Sequence, residues 1–298
     1  MTNSSSWPDI DNAAVDVSSG IYTRVSGDLK IHALHCGSVK VRRTHVESGL
    51  GPYFVWLDPR WTDWLPSYCF VIEHPEGIIV IDTGLSSTSH GLLSSQAGVS
   101  GWFTNQMVQF RIQRHEEIDQ RLAVLGIDPL DVRWVVLTHL QMDHTGGLRH
   151  FPKSEIIVSR EEYIRPFGAL ELEFPSWFRP NLIGHFDAYE SEFNSGYYLT
   201  EAKDVVIVPT PGHTYGHQSV ILKEFDRELF FAGDATYKYE QVWSAEVPGI
   251  SIDRSCARDT LGKIQRFCLE HAACYLPSHD QNSIERFFFA HQPVRATG

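Results

Sequence analysis

Thr138-His139-Leu140-Gln141-Met142-Asp143-His144-Thr145-Gly146-Gly147 follows directly on the apolar run Trp134-Val135-Val136-Leu137. Two imidazoles and a carboxylate therefore stand within six residues, just past a segment that reads as a buried strand. Borderline cations such as zinc take nitrogen and carboxylate ligands. A strand that ends in a ligand-bearing turn supplies the short, rigid support they need. Gln141 stands where a third imidazole would complete the pattern.

Working outward, further polar residues also close apolar runs. Asp82 follows Ile78-Ile79-Val80-Ile81, and His213 lies in Thr210-Pro211-Gly212-His213-Thr214 after residues 205–208. Asp234 ends Phe230-Phe231-Ala232-Gly233-Asp234, and His279 ends Leu276-Pro277-Ser278-His279. A lone Gly-Asp is an ordinary turn signal and a lone Pro-Gly-His is weak. Together, in this order, they describe one metal site built from strand ends.

The 298 residues are 42% hydrophobic, enough for a large core. Apolar runs of strand length recur at 29–34, 68–72, 78–81, 134–137, 156–158, 205–208, 219–222, 229–232 and 274–276. Pro75-Glu76-Gly77 reads as a hairpin turn. Helical spacing predicts helices over 108–125, 255–271 and 283–290. Residues 56–65 and 171–198 fit neither period and read as long aromatic loops. The pattern predicts two packed sheets with helices outside. Residues 1–20 read as a polar arm and 21–298 as a single domain.

Five cysteines without a C-x-x-C pair argue against a disulfide framework and a cysteine-zinc site. A net charge of −12 argues against nucleic acid and anionic membrane as partners. No run of about 18 apolar residues predicts a membrane span. The N-terminus lacks the basic and apolar regions of a signal peptide, so the cytoplasm is the expected location.

The ordered ligands resemble the metallo-β-lactamase superfamily, whose pattern is H-x-H-x-D-H followed by His, Asp and His at strand ends. The resemblance implies an α+β fold, a four-layer αβ/βα sandwich with the site at one edge of the two sheets. It implies two divalent metal ions. His139, Gln141 and His213 would hold the first, Asp143, His144 and His279 the second, and Asp234 would bridge them. Asp82 is similar to the family's ligand-orienting aspartate. Zinc is the expected ion, with manganese or iron as alternatives. Glutamine offers a carbonyl oxygen, a weaker and harder ligand than a nitrogen: either Gln141 ligates and leaves a looser first metal, or His139, His213 and Asp234 hold that metal without it, or the first site is empty, and a dinuclear site is the expectation.

Within the superfamily the chain most resembles the N-acyl-homoserine lactonases. Thr210-Pro211-Gly212-His213-Thr214-Tyr215-Gly216-His217-Gln218-Ser219 is similar to their third motif. Tyr237, three residues after Asp234, stands where they keep a catalytic phenol. The implied activity is opening of a lactone ring by a metal-activated hydroxide, with Tyr237 polarising the carbonyl and Asp143 passing a proton to the leaving oxygen. Another lactone or a carboxylic ester is the alternative substrate. A binding protein with a degraded first site is the alternative from another class. Glyoxalase-type and nuclease branches fit less well, for want of a C-terminal basic region and a basic surface. Trp102, Phe103, Met107, Trp177 and Phe178 are candidate linings for an acyl chain. A homodimer is a possible assembly, with the aromatic 56–64 loop as a partner surface.

Overall fold

The computed structural model describes residues 14–16, 19–49, 51–88, 106–169, 174–185, 187–189, 191–224 and 227–289. Two sheets form the frame. The first comprises β1 (Ala14–Asp16), β2 (Ile21–Ser26), β3 (Leu29–Val41), β4 (Leu65–His74), β5 (Gly77–Ile81), β6 (Val108–Arg111), β7 (Val132–Val136), β8 (Glu155–Ser159) and β9 (Asn181–Ile183). Its order is β1-β2-β3-β4-β5-β7-β8-β9, and β6 pairs with β3. The second comprises β10 (Asp187–Ala188), β11 (Ser195–Tyr198), β12 (Val205–Pro209), β13 (Gln218–Lys223), β14 (Glu228–Gly233) and β15 (Cys274–Pro277), in sequence order.

Most central strands are buried on both faces, which is why they read as unbroken apolar runs. Successive side chains alternate between two cores. Phe70, Ile72, Ile79 and Ile81 of the first sheet meet Val205, Ile207, Val220 and Phe231 of the second. The rings of Phe70 and Phe231 lie 4.7 Å apart at the centre of that layer. On the opposite face of the first sheet, Val71, Val80 and Val135 pack against Ile118 and Leu122 of the helix Ile118–Val124. On the opposite face of the second, Val206, Val208 and Phe230 pack against Ile264 and Phe267 of the helix Arg254–Glu270. The result is the α+β four-layer sandwich that the sequence implies.

Direction matters more than layer count for the site. β5 and β7 run parallel, with Ile81 opposite Val136. β14 and β15 also run parallel, and the two antiparallel pairings β12–β13 and β13–β14 give β12 the same direction as β14. The loops carrying Asp82 and residues 138–144 thus leave one sheet at the edge where those carrying His213, Asp234 and His279 leave the other.

Several predicted elements differ. Residues 108–125 are not one helix. Val108–Arg111 is strand β6, Arg114–Glu116 is a 3-10 turn, and only Ile118–Val124 is α-helical. Val108 and Phe110 pack inward while Gln109 and Arg111 are exposed, the period of two proper to a strand. In the expected 171–198 loop, β9, β10 and β11 form from short pieces. Within 56–65, the 3-10 helix Pro52–Leu57 enters the segment, Trp61 bridges to Arg42, and the Arg42 guanidinium lies 3.9 Å from the Trp61 ring centroid. β1 pairs with β2, so part of the expected arm belongs to the sheet.

Phe231→Ala should cost about 3–5 kcal/mol of unfolding free energy, read by chemical denaturation, because it empties the contact between the two sheets. A loss below about 1 kcal/mol would show that this layer does not carry the fold.

Candidate metal centre

Asp82 follows β5 with a left-handed backbone (φ 58°) and is almost fully buried. Its carboxylate accepts from the Thr138 N–H at 2.8 Å and from the His144 Nδ1–H at 2.8 Å. The Thr138 hydroxyl also donates to it, at 2.9 Å. That hydroxyl has no second proton, so at its 3.0 Å contact with His139 it accepts from Nδ1–H. The His279 Nδ1–H donates to the Pro66 carbonyl at 2.7 Å. In three histidines the Nδ1 proton is thereby spoken for, and Nε2 is left as the ligating atom.

Those Nε2 atoms converge on the carboxylates. Asp234 Oδ1 lies 3.2 Å from His144 Nε2 and 3.3 Å from His279 Nε2. His279 Nε2 is 3.3 Å from Asp143 Oδ2, and His144 Nε2 is 3.9 Å from the same oxygen. Ligands at 2.0–2.1 Å from a tetrahedral cation sit about 3.3 Å apart, so this spacing fits a zinc-sized ion. The other oxygen, Asp234 Oδ2, faces His213 Nε2 at 3.7 Å. The His139 ring stands 4.8 Å from that of His213. Asp234 thus turns one oxygen to each half of the cluster.

The buried Nε2 atoms of His139, His144, His213 and His279 and both oxygens of Asp234 have no hydrogen-bond partner. Buried polar atoms left so carry a free-energy cost that a cation removes. The charges point the same way. Burial disfavours positive charge on His144 and His279, yet Asp82 and Asp234 around the first, and Asp234 and Asp143 around the second, override it. Both are raised, His279 to about 10. Asp234 is held well below the carboxylate range although burial opposes it, because His279 and His144 face it. A site this strongly drawn to positive charge would exchange those protons for metal.

Sequence reading missed four side chains. His217 is buried beside Asp234. It donates from Nδ1 to the Thr210 carbonyl at 3.1 Å and accepts the Asp234 N–H at Nε2, 3.0 Å, so it fixes the Asp234 backbone. Gln218 donates to the Leu137 carbonyl at 2.9 Å and ties the two sheets together beneath the site. Glu162, from the helix Arg160–Ile164, accepts from Leu140 N–H at 3.1 Å, the Thr214 hydroxyl at 2.6 Å and Gly216 N–H at 3.2 Å. It clamps the 138–144 loop to the 210–217 loop. His45 contacts Tyr237, as described below. His217 and Gln218 lay within a quoted motif, whereas Glu162 and His45 carried no local signal.

Close approach explains two glycines. A Cβ on Gly147 would stand 2.5 Å from the Thr83 carbonyl, and one on Gly212 would stand 2.4 Å from Ala257 Cα. Each lets a ligand loop press onto its neighbour.

Gln141 makes a contact of its own. Its amide Nε2 lies 3.4 Å from the Phe167 carbonyl, and its backbone forms a bridge with Ala169. The Gln141 side chain forms part of the wall of an apolar recess that also includes Val39, Val41, Met107, Phe110 and Ile250. Of the acyl-chain candidates among the described residues, only Met107 is found there. Phe178 is buried behind the first sheet, with Trp177 packed against that same core, because its ring stacks on Phe174 at 4.8 Å. Trp102 and Phe103 lie outside the described residues.

A strand-edge cluster of histidine and aspartate inside a four-layer sandwich defines a candidate metal-dependent protein. Residues 62–265 match the metallo-beta-lactamase superfamily, and the chain belongs to it. An N-acyl homoserine lactonase of a Bacillus species is 27% identical over 217 residues, 72% of this chain and 82% of that protein. The N-acyl homoserine lactonase AttM of Agrobacterium fabrum is 26% identical over 278 residues, 87% of this chain and 96% of that one. Among solved structures, an N-acyl homoserine lactone hydrolase with N-hexanoyl-L-homoserine at its catalytic metal centre superposes with a TM-score of 0.69 at 21% identity, covering 86% of this chain and 94% of that one. AidC, described as a dizinc quorum-quenching lactonase, superposes with a TM-score of 0.60 at 16% identity, covering 88% and 91%.

Asp82→Ala should lower metal affinity about 10–100-fold in a chelator competition, since both His144 and Thr138 lose their anchor. Unchanged affinity would remove Asp82 from its orienting role. Gln141→Ala should keep the full metal content, measured by elemental analysis, if the contact with Phe167 is its role. Loss of one equivalent would instead make Gln141 a ligand.

Proposed function

We propose that this protein is a metal-dependent lactonase that opens N-acyl homoserine lactones. The observation that carries this reading is the position of Tyr237, which stands between the ligand cluster and the apolar recess. Its ring stacks on His279 at 5.2 Å and 11°, and its side chain lines the recess together with His45, Gln141 and Asp143. The named activity of the relatives supports the same reading.

In this reading His139, His213 and Asp234 would hold the first divalent cation, with Gln141 as its candidate fourth ligand. Asp143, His144 and His279, with Asp234, would hold the second. Zinc is the expected ion, and manganese or iron are the alternatives. Such cations supply Lewis acidity and water activation near neutral pH.

The chain's own residues do the rest. Tyr237 donates its hydroxyl proton in a hydrogen bond to the lactone carbonyl oxygen as negative charge develops there. Burial, together with the charges of Asp234 and Asp143, raises its pKa well above the phenol range, so the proton stays on the hydroxyl. Burial opposes charge on Asp143, but His144 and His279 beside it hold its carboxyl below the usual range, so it is ionised. It takes the proton given up by the attacking water and passes it to the ring oxygen as the C–O bond breaks, leaving a carboxylate and an alcohol. The recess takes the acyl chain and keeps water from it. Five free cysteines, four of them buried, support a reducing compartment and hence the cytoplasm as the place of action. Among the described residues, no helix is long and apolar enough to cross a membrane.

A second reading has its own observation. Tyr237 and His279 also border a polar cleft of about 500 Å³ lined by Arg43, Trp61 and Lys238. That cleft suits another lactone or a carboxylic ester that carries a polar substituent.

Steady-state assays against N-hexanoyl homoserine lactone, γ-butyrolactone and phenyl acetate separate these readings. The first should give the highest kcat/KM. Hydrolysis of none of them by the fully metallated protein would favour a binding role. Tyr237→Phe should lower kcat about 100-fold with bound metal unchanged. An unchanged kcat would exclude the phenol from the chemistry.

A further inference from the structure

Beneath Tyr237 lies a histidine that belongs to neither the ligand set nor the recognised motifs. His45 sits in the short helix Arg43–Val46 and is buried. Its Nε2 is 3.0 Å from the Tyr237 hydroxyl oxygen, across 192 residues of sequence. The two rings meet edge to face, 5.3 Å apart at 86°. Its backbone is fixed on both sides, since its N–H donates to the Arg42 carbonyl at 2.9 Å and its carbonyl accepts from Ile250 at 3.1 Å. Tyr237 is held in turn by its N–H, which donates to Gln241 Oε1 at 2.9 Å.

Two protonation patterns satisfy the 3.0 Å contact. In one, the phenol donates to Nε2, and the ring proton must then sit on Nδ1. That atom is buried without a partner, and a buried N–H with no acceptor costs about 1–3 kcal/mol. In the other, Nε2–H donates to the phenol oxygen and Nδ1 carries only a lone pair. Among buried backbone groups the orphaned donor is the rarer defect, and the same preference applied to this ring selects the second pattern. It also leaves the phenol's own proton free to point away from His45, where the substrate would stand in the lactonase reading. Burial pushes the His45 pKa down to about 4, so the ring is neutral, with one proton to place.

We propose that His45 is the positioning residue of Tyr237: the neutral imidazole donates from Nε2–H to the phenol oxygen and thereby aims the phenol proton at the reacting carbonyl. This rests on the lactonase reading of Tyr237 but is tested apart from it. The bond does two things. It fixes the hydroxyl rotor, and it stabilises the oxygen as the phenol shares its proton.

The test uses the metal-loaded full chain. Long-range ¹⁵N–¹H correlation spectra, with His45 assigned by its disappearance in His45→Gln, should show the Nε2–H tautomer. With N-hexanoyl homoserine lactone and phenyl acetate as probes, His45→Leu should lower kcat roughly tenfold. KM and metal content should stay unchanged. His45→Gln, whose amide offers a donor at a similar reach, should recover most of that loss. The double variant His45→Leu/Tyr237→Phe should be no slower than Tyr237→Phe alone, because His45 acts only through the phenol. An Nδ1–H tautomer overturns the proposal, as do additive losses in the double variant or a His45→Gln as slow as His45→Leu. Should His45→Leu fail to fold, the spectra and His45→Gln still decide. If Tyr237→Phe matches the parent, the catalytic phenol fails while the tautomer still settles the bond.

Discussion

The buried carboxylate of Asp82 is the constraint on which the site depends. It closes β5 and grips the first residues after β7, so the end of one strand sets the geometry of the next. One carboxylate fixes the ring of His144 directly and that of His139 through the Thr138 hydroxyl. Its left-handed backbone is a strained conformation for a residue other than glycine. The three donors that converge on it hold it there. Without that arrangement neither imidazole would present Nε2 inward, and Asp234 would face rotating rings.

The centre then follows from charge and geometry together. Asp234 has two oxygens and two sets of neighbours, one set on each side. Its backbone cannot shift to favour either, because His217 holds its N–H and the Gly233 turn runs beneath it. Glu162 plays the corresponding role for the loops, since it joins residues 140, 214 and 216 in one buried carboxylate. The chain's net charge of −12 includes the buried carboxylates of Asp82 and Asp234, which make this interior attract positive charge.

What could be read from the chain divides along the range of the interactions. His139, Asp143, His144, His213, Asp234 and His279 were legible because each closely follows an apolar strand, a pattern contained in ten or so residues. The strands themselves were legible where both faces are buried. Residues 108–125 were misread because a strand, a turn and a short helix, each with inward apolar groups, together imitate helical spacing. Phe178 looked like a pocket lining by composition, and only its stack on Phe174 places it in the core. His45 and Glu162 were invisible for a different reason. Their partners lie far along the chain, and no local pattern marks a side chain whose role is defined by a distant neighbour.

The two halves of the ligand set come from different sheets. His139, Asp143 and His144 leave the first, and His213, Asp234 and His279 leave the second. Neither half alone offers a complete coordination sphere, so a newly made chain has no high-affinity site until its sheets have docked. With this ligand set, cation capture would be a late event in the maturation of the chain. Ions held there would act as rivets along one seam of the sandwich, and would strengthen it according to how much more tightly the folded chain held them than the unfolded one.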